Sequence, residues 1–386
     1  MLFYTKTYIY IYISFTSTGA RRNAEGGLRN RGSVRIFKRV SQEWTQVAEL
    51  DGEDQGDQFG YSCSISGDGK IVAVGIPGED SNGKNSGQVR IYEENGGAWN
   101  QTGFLNGEEK QDLYGLAVSL DTTGEVLAVG SPYKSANGNE FSGTVYVYRK
   151  TDQDENWSSL GLRIEGTSTR QLFGWSVSIS SRASSQLRLA IGSPRDEKRV
   201  DESGHVTVHQ YDANLESWEV IGNKIERGNA LDRHGFSVSL SDNGSKLAVG
   251  ALGDNTNGVF SGAACVYQYE DGNQWNEVGS IAGQGGEKLG TAVSLSADGS
   301  ELQVGRPKRR NSSNESPGQV SVFYVSKTAL HPIGDIDGEP GDNIGFSVSS
   351  SIDGRYIVAG SPISGLSRVY RHSTFEYFYG GVLQER

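Results

Sequence analysis

Carboxylates recur at one fixed place in this 386-residue chain, and their spacing bears on chemistry first. Asp57, Asp112, Asp232 and Asp342 each stand two residues before an aromatic or apolar residue followed by glycine, with Gln171 and Glu287 holding the same place in two further copies. A carboxylate there can accept backbone N–H bonds ahead of a strand, which is the simpler reading. It can also join Glu53, Asp54, Glu108 and Glu109 in a negative rim that attracts cations or a basic partner. Of the five histidines (His205, His209, His234, His331 and His372), only His205 and His209 have a spacing that shares a strand face. They lack a third metal ligand within reach, so the pair is expected on a sheet surface. No nucleophile elbow, P-loop, dinucleotide fingerprint or Cys–His arrangement is present. Cys63 and Cys265 read as free, small hydrophobes.

The elements that hold these residues repeat six times. The phrase FGYSCSISGDGKIVAVGIP from Phe59 has near-copies from Tyr114, Phe173, His234, Leu289 and Ile344. Their glycines (Gly60, Gly115, Gly174, Gly235, Gly290 and Gly345) are 55 to 61 residues apart. After each glycine, small and apolar residues alternate with period two, as strands with one buried face do. Turns such as Asp68-Gly69 and Asp298-Gly299 then lead into an apolar run such as Ile71-Val-Ala-Val-Gly75, which makes a hairpin. A polar segment usually follows and ends at a glycine that opens a third strand, as in Gly143-Thr-Val-Tyr-Val-Tyr148. Trp44, Trp99, Trp157, Trp218 and Trp275 start a fourth strand and are expected to anchor packing between repeats.

Four strands per repeat and no helical periodicity predict an all-β chain, a β-propeller of four-stranded antiparallel blades. The count is uneven. Six first-and-second-strand pairs face seven third-and-fourth-strand pairs, because Gly32 to Leu50 precedes the first full repeat. The prediction is seven blades with one incomplete or divergent, or six blades plus an extra hairpin. The propeller is assigned to residues 32–386. Residues 1–31 are divergent: Tyr8-Ile-Tyr-Ile-Tyr-Ile-Ser-Phe15 has strand propensity and could close the ring, or it is a translated non-coding tract. As a signal peptide the segment is a poor match.

The phrase Phe59-Gly60 through Gly75-Ile-Pro77, with Gly130-Ser-Pro132, Gly192-Ser-Pro194 and Gly360-Ser-Pro362 in the same place, resembles the FG-GAP repeat of integrin alpha-chain propellers. The resemblance implies a seven-bladed propeller used for extracellular or cell-surface binding, without chemistry of its own. It also implies an Asp-rich calcium loop between first and second strands. Here that connection shrinks to turns such as Ser66-Gly67-Asp68-Gly69, with one carboxylate where calcium needs six to eight oxygens. No metal or other cofactor is expected. Asp335-Ile-Asp-Gly-Glu339 is read as an acidic turn.

A net charge of -11 and the lack of a basic stripe argue against nucleic acid. No segment is apolar and long enough to span a membrane. Strand alternation places the loops 76–86, 131–142, 193–203, 251–261 and 306–317 on one face with the acidic rim, and loops on a rigid scaffold carry function. Candidate contacts there are Glu79, Asp80, Asn82, Tyr133, Asn137, Arg195, Asp254, Asn257, Lys308 and Arg309. The sequence thus predicts a non-catalytic binding propeller, for protein interaction or adhesion, with a protein or glycan ligand left open. The alternatives are a glycan-binding propeller and an enzyme with a central-channel site.

Overall fold

The computed structural model describes residues 9–14, 31–40, 43–151, 156–181, 186–195, 202–227, 229–270, 272–313, 315–361, 365–373 and 376–383. Among them all regular structure is strand. Blade 1 shows the pattern: β4 (Ser62–Ile65), β5 (Ile71–Ile76), β6 (Gln88–Asn95) and β7 (Ala98–Asn106) pair antiparallel in that order. Blades 2 to 6 follow at 117–165, 176–225, 237–282, 293–337 and 347–383. In blade 2 the outer strand is split into Trp157–Ser159 and Ile164–Glu165. Blade 6, which has no tryptophan, still gains an outer strand, Glu376–Leu383.

Six complete blades are joined by a three-stranded sheet, β1 (Ile9–Ser14), β2 (Ser33–Val40) and β3 (Glu43–Asp51), as the six-blade reading with an extra hairpin requires. β1 pairs antiparallel with β2, where a complete blade has its second strand, and it lies against the inner strand of blade 1 and the second strand of blade 6. The hairpin packs on both neighbours. Val34, Ile36 and Phe59 share a core with Val72 and Val74 of blade 1, while Phe37 and Trp44 pack on Tyr356, Val358 and Val369 of blade 6.

The repeated phrase is a clasp between blades. The aromatic or apolar residue of one repeat bridges to the glycine that opens the previous blade's third strand, as Tyr114 does to Gly87 and Phe173 to Gly143. Its backbone N–H donates to the residue before that glycine: Tyr114 to Ser86 O at 3.1 Å, His234 to Ser203 O at 2.9 Å. The following glycine, at φ 82° for Gly115, lies directly on the second-strand glycine of the previous blade, so a Cβ on Gly75 would enter the carbonyl of Gly115. First-strand serines continue the seam, with Ser119 Oγ accepting from Ile179 N and Ser178 Oγ from Leu240 N. Tryptophans do the same at the outer edge. Trp218 Nε1 donates to Leu160 O at 2.8 Å, and Trp275 covers Gly222 of the previous blade.

Candidate functional site

The second-to-third loops and the fourth-to-first connections do share a face, and backbone bonds lock them together. Gln111 N donates to Lys84 O, Arg170 N to Glu140 O, and Lys288 N to Phe260 O. The recurring carboxylates sit in these connections as buried caps. Asp112 Oδ2 accepts from Glu109 N, Asp342 Oδ2 from Glu339 N and Glu287 Oε2 from Gln284 N, while Gln171 Oε1 accepts from Thr167 and Ser168 N. That is the turn geometry expected from sequence.

Most of these caps also meet a cation or a histidine. Lys134 Nζ, itself buried, stands 3.1 Å from Asp112, 3.2 Å from Glu108 and 3.5 Å from Glu109. Arg368 holds Asp342 at 2.6 Å, and Arg309 holds Glu287 at 2.7 Å. Gln171 Nε2 lies 3.1 Å from His205 Nε2. Asp57 instead meets the charges of Asp54, Glu79 and Asp80, and burial above all raises its pKa. Much of the acidic rim is neutralised from within: Arg90 forks Glu53 at 2.9 and 3.1 Å, and Arg163 reaches Glu108 at 3.1 Å.

The ten candidate contacts are spread over five blades, and several brace their own loops. Asn82 Nδ2 donates to Gly107 O at 2.7 Å and Asn257 Nδ2 to Gly283 O at 3.1 Å, the same brace in blades 1 and 4. Asp80 accepts from Asn85 N at 2.7 Å, and Glu79 from Ser81 N at 3.1 Å. Tyr133 packs edge-on to Phe141, Asn137 donates to Glu165, Arg195 pairs with Glu202, and Lys308 donates to Asn343. Asp254 is fully buried.

Asp254 belongs to the polar cluster with the strongest chemical potential on this face. Asp232 and Asp254 are 1% and 0% exposed, and each has an Oδ2 without a hydrogen-bond partner. Burial, then the charge of Asp254, raises the Asp232 pKa against hydrogen bonds from Asn229 and the charge of Arg227. Arg227, which enters from the preceding connection, lies 3.7 Å from Asp254 and donates to Cys265 Sγ at 2.9 Å, keeping 22% of its side chain exposed. Burial pushes the Cys265 thiol up to about 11, which keeps it protonated and unreactive. Beside the cluster, His234 is buried with its Nδ1 unpartnered and its Nε2 3.3 Å from Tyr267 Oη.

Around the start of the innermost strands runs a second feature that the motif reading missed. The residue after each clasp glycine is Tyr61, Leu116, Trp175, Phe236, Thr291 or Phe346, and the Trp175 and Phe236 rings lie 5.6 Å apart. These side chains rim the mouth of the channel on the loop face. Trp175 is the one tryptophan outside the fourth-strand series, which was the available signal. On the opposite, hairpin face a cavity of about 460 Å³ separates blades 3 and 4. Arg188 occupies it, stacked 4.3 Å from the Tyr269 ring and donating to Gln210 Oε1, Gly244 O and Gln186 Oε1.

Two expectations change in place. His205 and His209 are buried rather than on a sheet surface, because they share the face of Leu189 that packs towards the preceding blade, where Gln171 and Phe173 of the incoming connection cover them. Asp335 and Asp337 lie in a strand, accepting from Ser321 Oγ and Gln319 Nε2, so the segment is not a turn there. The Asp68 carboxylate is consumed within its hairpin, taking bonds from Ser66 Oγ and Lys70 N.

The FG-GAP repeat family model matches residues 44–92 and 227–267. These stretches include the two loops that share the Asn82 and Asn257 brace. No curated protein sequence matches the chain. Among solved structures, a candidate 6-phosphogluconolactonase from Bacteroides uniformis is 13% identical with a TM-score of 0.64, covering 97% of this chain and 95% of its own. The periplasmic gluconolactonase of Pseudomonas aeruginosa is 16% identical with a TM-score of 0.60, covering 98% and 96%. A candidate 6-phosphogluconolactonase from Bacteroides fragilis is 10% identical at 0.57, covering 97% and 94%. At such identities the likeness establishes the shared propeller fold. The expectation of a non-catalytic interaction or adhesion module is corrected by these neighbours, which match almost end to end and are named for lactone hydrolysis. The chain is a β-propeller that carries FG-GAP repeats in these two stretches.

Proposed function

We propose that the protein is a hydrolase that opens a sugar-derived lactone on its loop face, at the Arg227–Asp232–Asp254 cluster. The observation that carries this reading is the pair of buried carboxylates, each with an oxygen lacking a hydrogen-bond partner, beside a partly exposed guanidinium. The names of the neighbouring structures supply the substrate class. A carboxylate with a raised pKa suits proton transfer closer to neutral pH.

In the proposed step, the Asp232 carboxylate takes a proton from water as the water oxygen adds to the lactone carbonyl carbon. Arg227 stabilises the resulting oxyanion. When the intermediate collapses, the ring C–O bond breaks and Asp232 returns the proton to the departing oxygen. One water is consumed and a hydroxy acid is released. Trp175 and Phe236, close by on the channel mouth, offer apolar faces for a sugar ring.

The test is a pH-stat assay with glucono-δ-lactone, corrected for spontaneous opening. Saturable hydrolysis is expected, with Arg227→Gln lowering kcat/KM by roughly 10²-fold, as for loss of an oxyanion donor. Hydrolysis no faster than buffer across sugar lactones would remove this reading.

A further inference from the structure

Blade 5 departs from its siblings at one position. The last residue of the second strand is Ile76, Ser131, Ser193, Ala251 or Ser361 in the other blades, and Arg306 in blade 5. Arg306 begins the loop that carries Lys308 and Arg309, and its backbone N lies beside the clasp glycine Gly345, at the edge of the channel mouth. The mouth residue of this blade is Thr291, the smallest of the six and a polar one, whose hydroxyl donates to Lys288 O.

The charges at this place do not balance. Among the described residues the Arg306 guanidinium makes no hydrogen bond. Its one acidic neighbour is Glu287 at 3.7 Å, and its Nε is buried without a partner. Glu287 is already held by Arg309 at 2.7 Å. Lys308 Nζ donates only to a neutral amide, Asn343 Oδ1 at 3.0 Å. The buried carboxylate next to Asn343, Asp342, is taken by Arg368 at 2.6 Å. Two guanidiniums thus share one carboxylate, with the Lys308 ammonium beside them on a neutral amide, in a chain whose net charge is -11.

We propose that the Arg306–Lys308–Arg309 notch binds an oxyanion, the phosphate, sulfate or carboxylate group of a small-molecule ligand lying over the channel mouth. A guanidinium with open donors suits a planar or tetrahedral oxyanion, and the lysine adds a point charge. The site stands on its own observations and does not depend on lactone hydrolysis.

The experiment is thermal unfolding and calorimetry of the full chain with inorganic phosphate, sulfate, gluconate and glucose 6-phosphate, each against chloride at equal ionic strength. At least one should raise Tm saturably, and the one that binds tightest distinguishes a free anion from a sugar-borne phosphate or carboxylate. Arg306→Ser restores the residue that three other blades carry, so folding is expected to persist, and it should weaken binding at least tenfold. Arg163→Ser, on blade 2, should leave binding unchanged. No response beyond chloride from any of the four, or equal binding by Arg306→Ser, would overturn the proposal.

Discussion

His234 occupies the clasp position that Phe59 and Phe173 hold in other repeats, and burial sets its behaviour. Desolvation, with the charges of Arg227 and His205, pushes its pKa down to about 3, and burial brings His209 down to about 4. Both side chains are neutral in the fold, yet they take up protons near 6.5 once unfolded. Their contribution is therefore complete above about pH 6.5. It is lost as pH falls from there towards 4 and then 3. His234→Phe should remove one proton's share of this decline, about 1.4 kcal/mol per pH unit across the window. Urea unfolding at pH 7, 6, 5 and 4 measures it. Parallel curves for the two proteins would mean that His234 is not buried and neutral.

At the level of elements, the hairpins were legible because each rests on neighbours in sequence. Asp68-Gly69 marks a turn, Gly69 adopts φ 71°, and the strands on either side alternate as their residues require. What lies between blades was not legible. Arg227 meets Cys265 from 38 residues away, and the burial of His205 and His209 depends on a blade that no local pattern announces. Arg306 has no motif at all; its meaning comes from aligning it with serines in other blades. The clasp glycines sit between these cases, visible as a repeat yet explained only by contact. A Cβ on Gly250 would enter the carbonyl of Gly290 in the next blade, and two backbones cannot yield as a side-chain end can. Gly250→Ala should cost about 3 kcal/mol or more, in the range of severe packing faults. Gly96→Ala meets no atom within 4 Å and should cost about 1 kcal/mol, the ordinary penalty at positive φ. Chemical denaturation of both variants separates a seam from a simple turn, and equal losses would refute the clasp.

For the whole molecule, ring closure falls to a strand far outside the repeats. β1 lies between blades 1 and 6, and the sheet it completes packs on both, joining the two ends of the ring beside the approach of Ile352 of blade 6 to Gly67 of blade 1. Deleting residues 1–31 should broaden thermal unfolding and lower Tm by about 1–3 °C, roughly what 1–2 kcal/mol produces in a chain of this size. An unchanged transition would show that β1 contributes nothing to closure. A closed ring also fixes the loop face, where the buried carboxylates, the aromatic mouth and the basic notch of blade 5 are held in one frame. The most direct test of the proposed chemistry is the rate of lactone hydrolysis by Asp232→Asn beside the native protein. Asparagine keeps the size and hydrogen bonds of Asp232 but cannot move the proton, so kcat should fall by roughly 10²–10⁴-fold with Tm nearly unchanged. Native turnover in the Asp232→Asn variant would contradict the account.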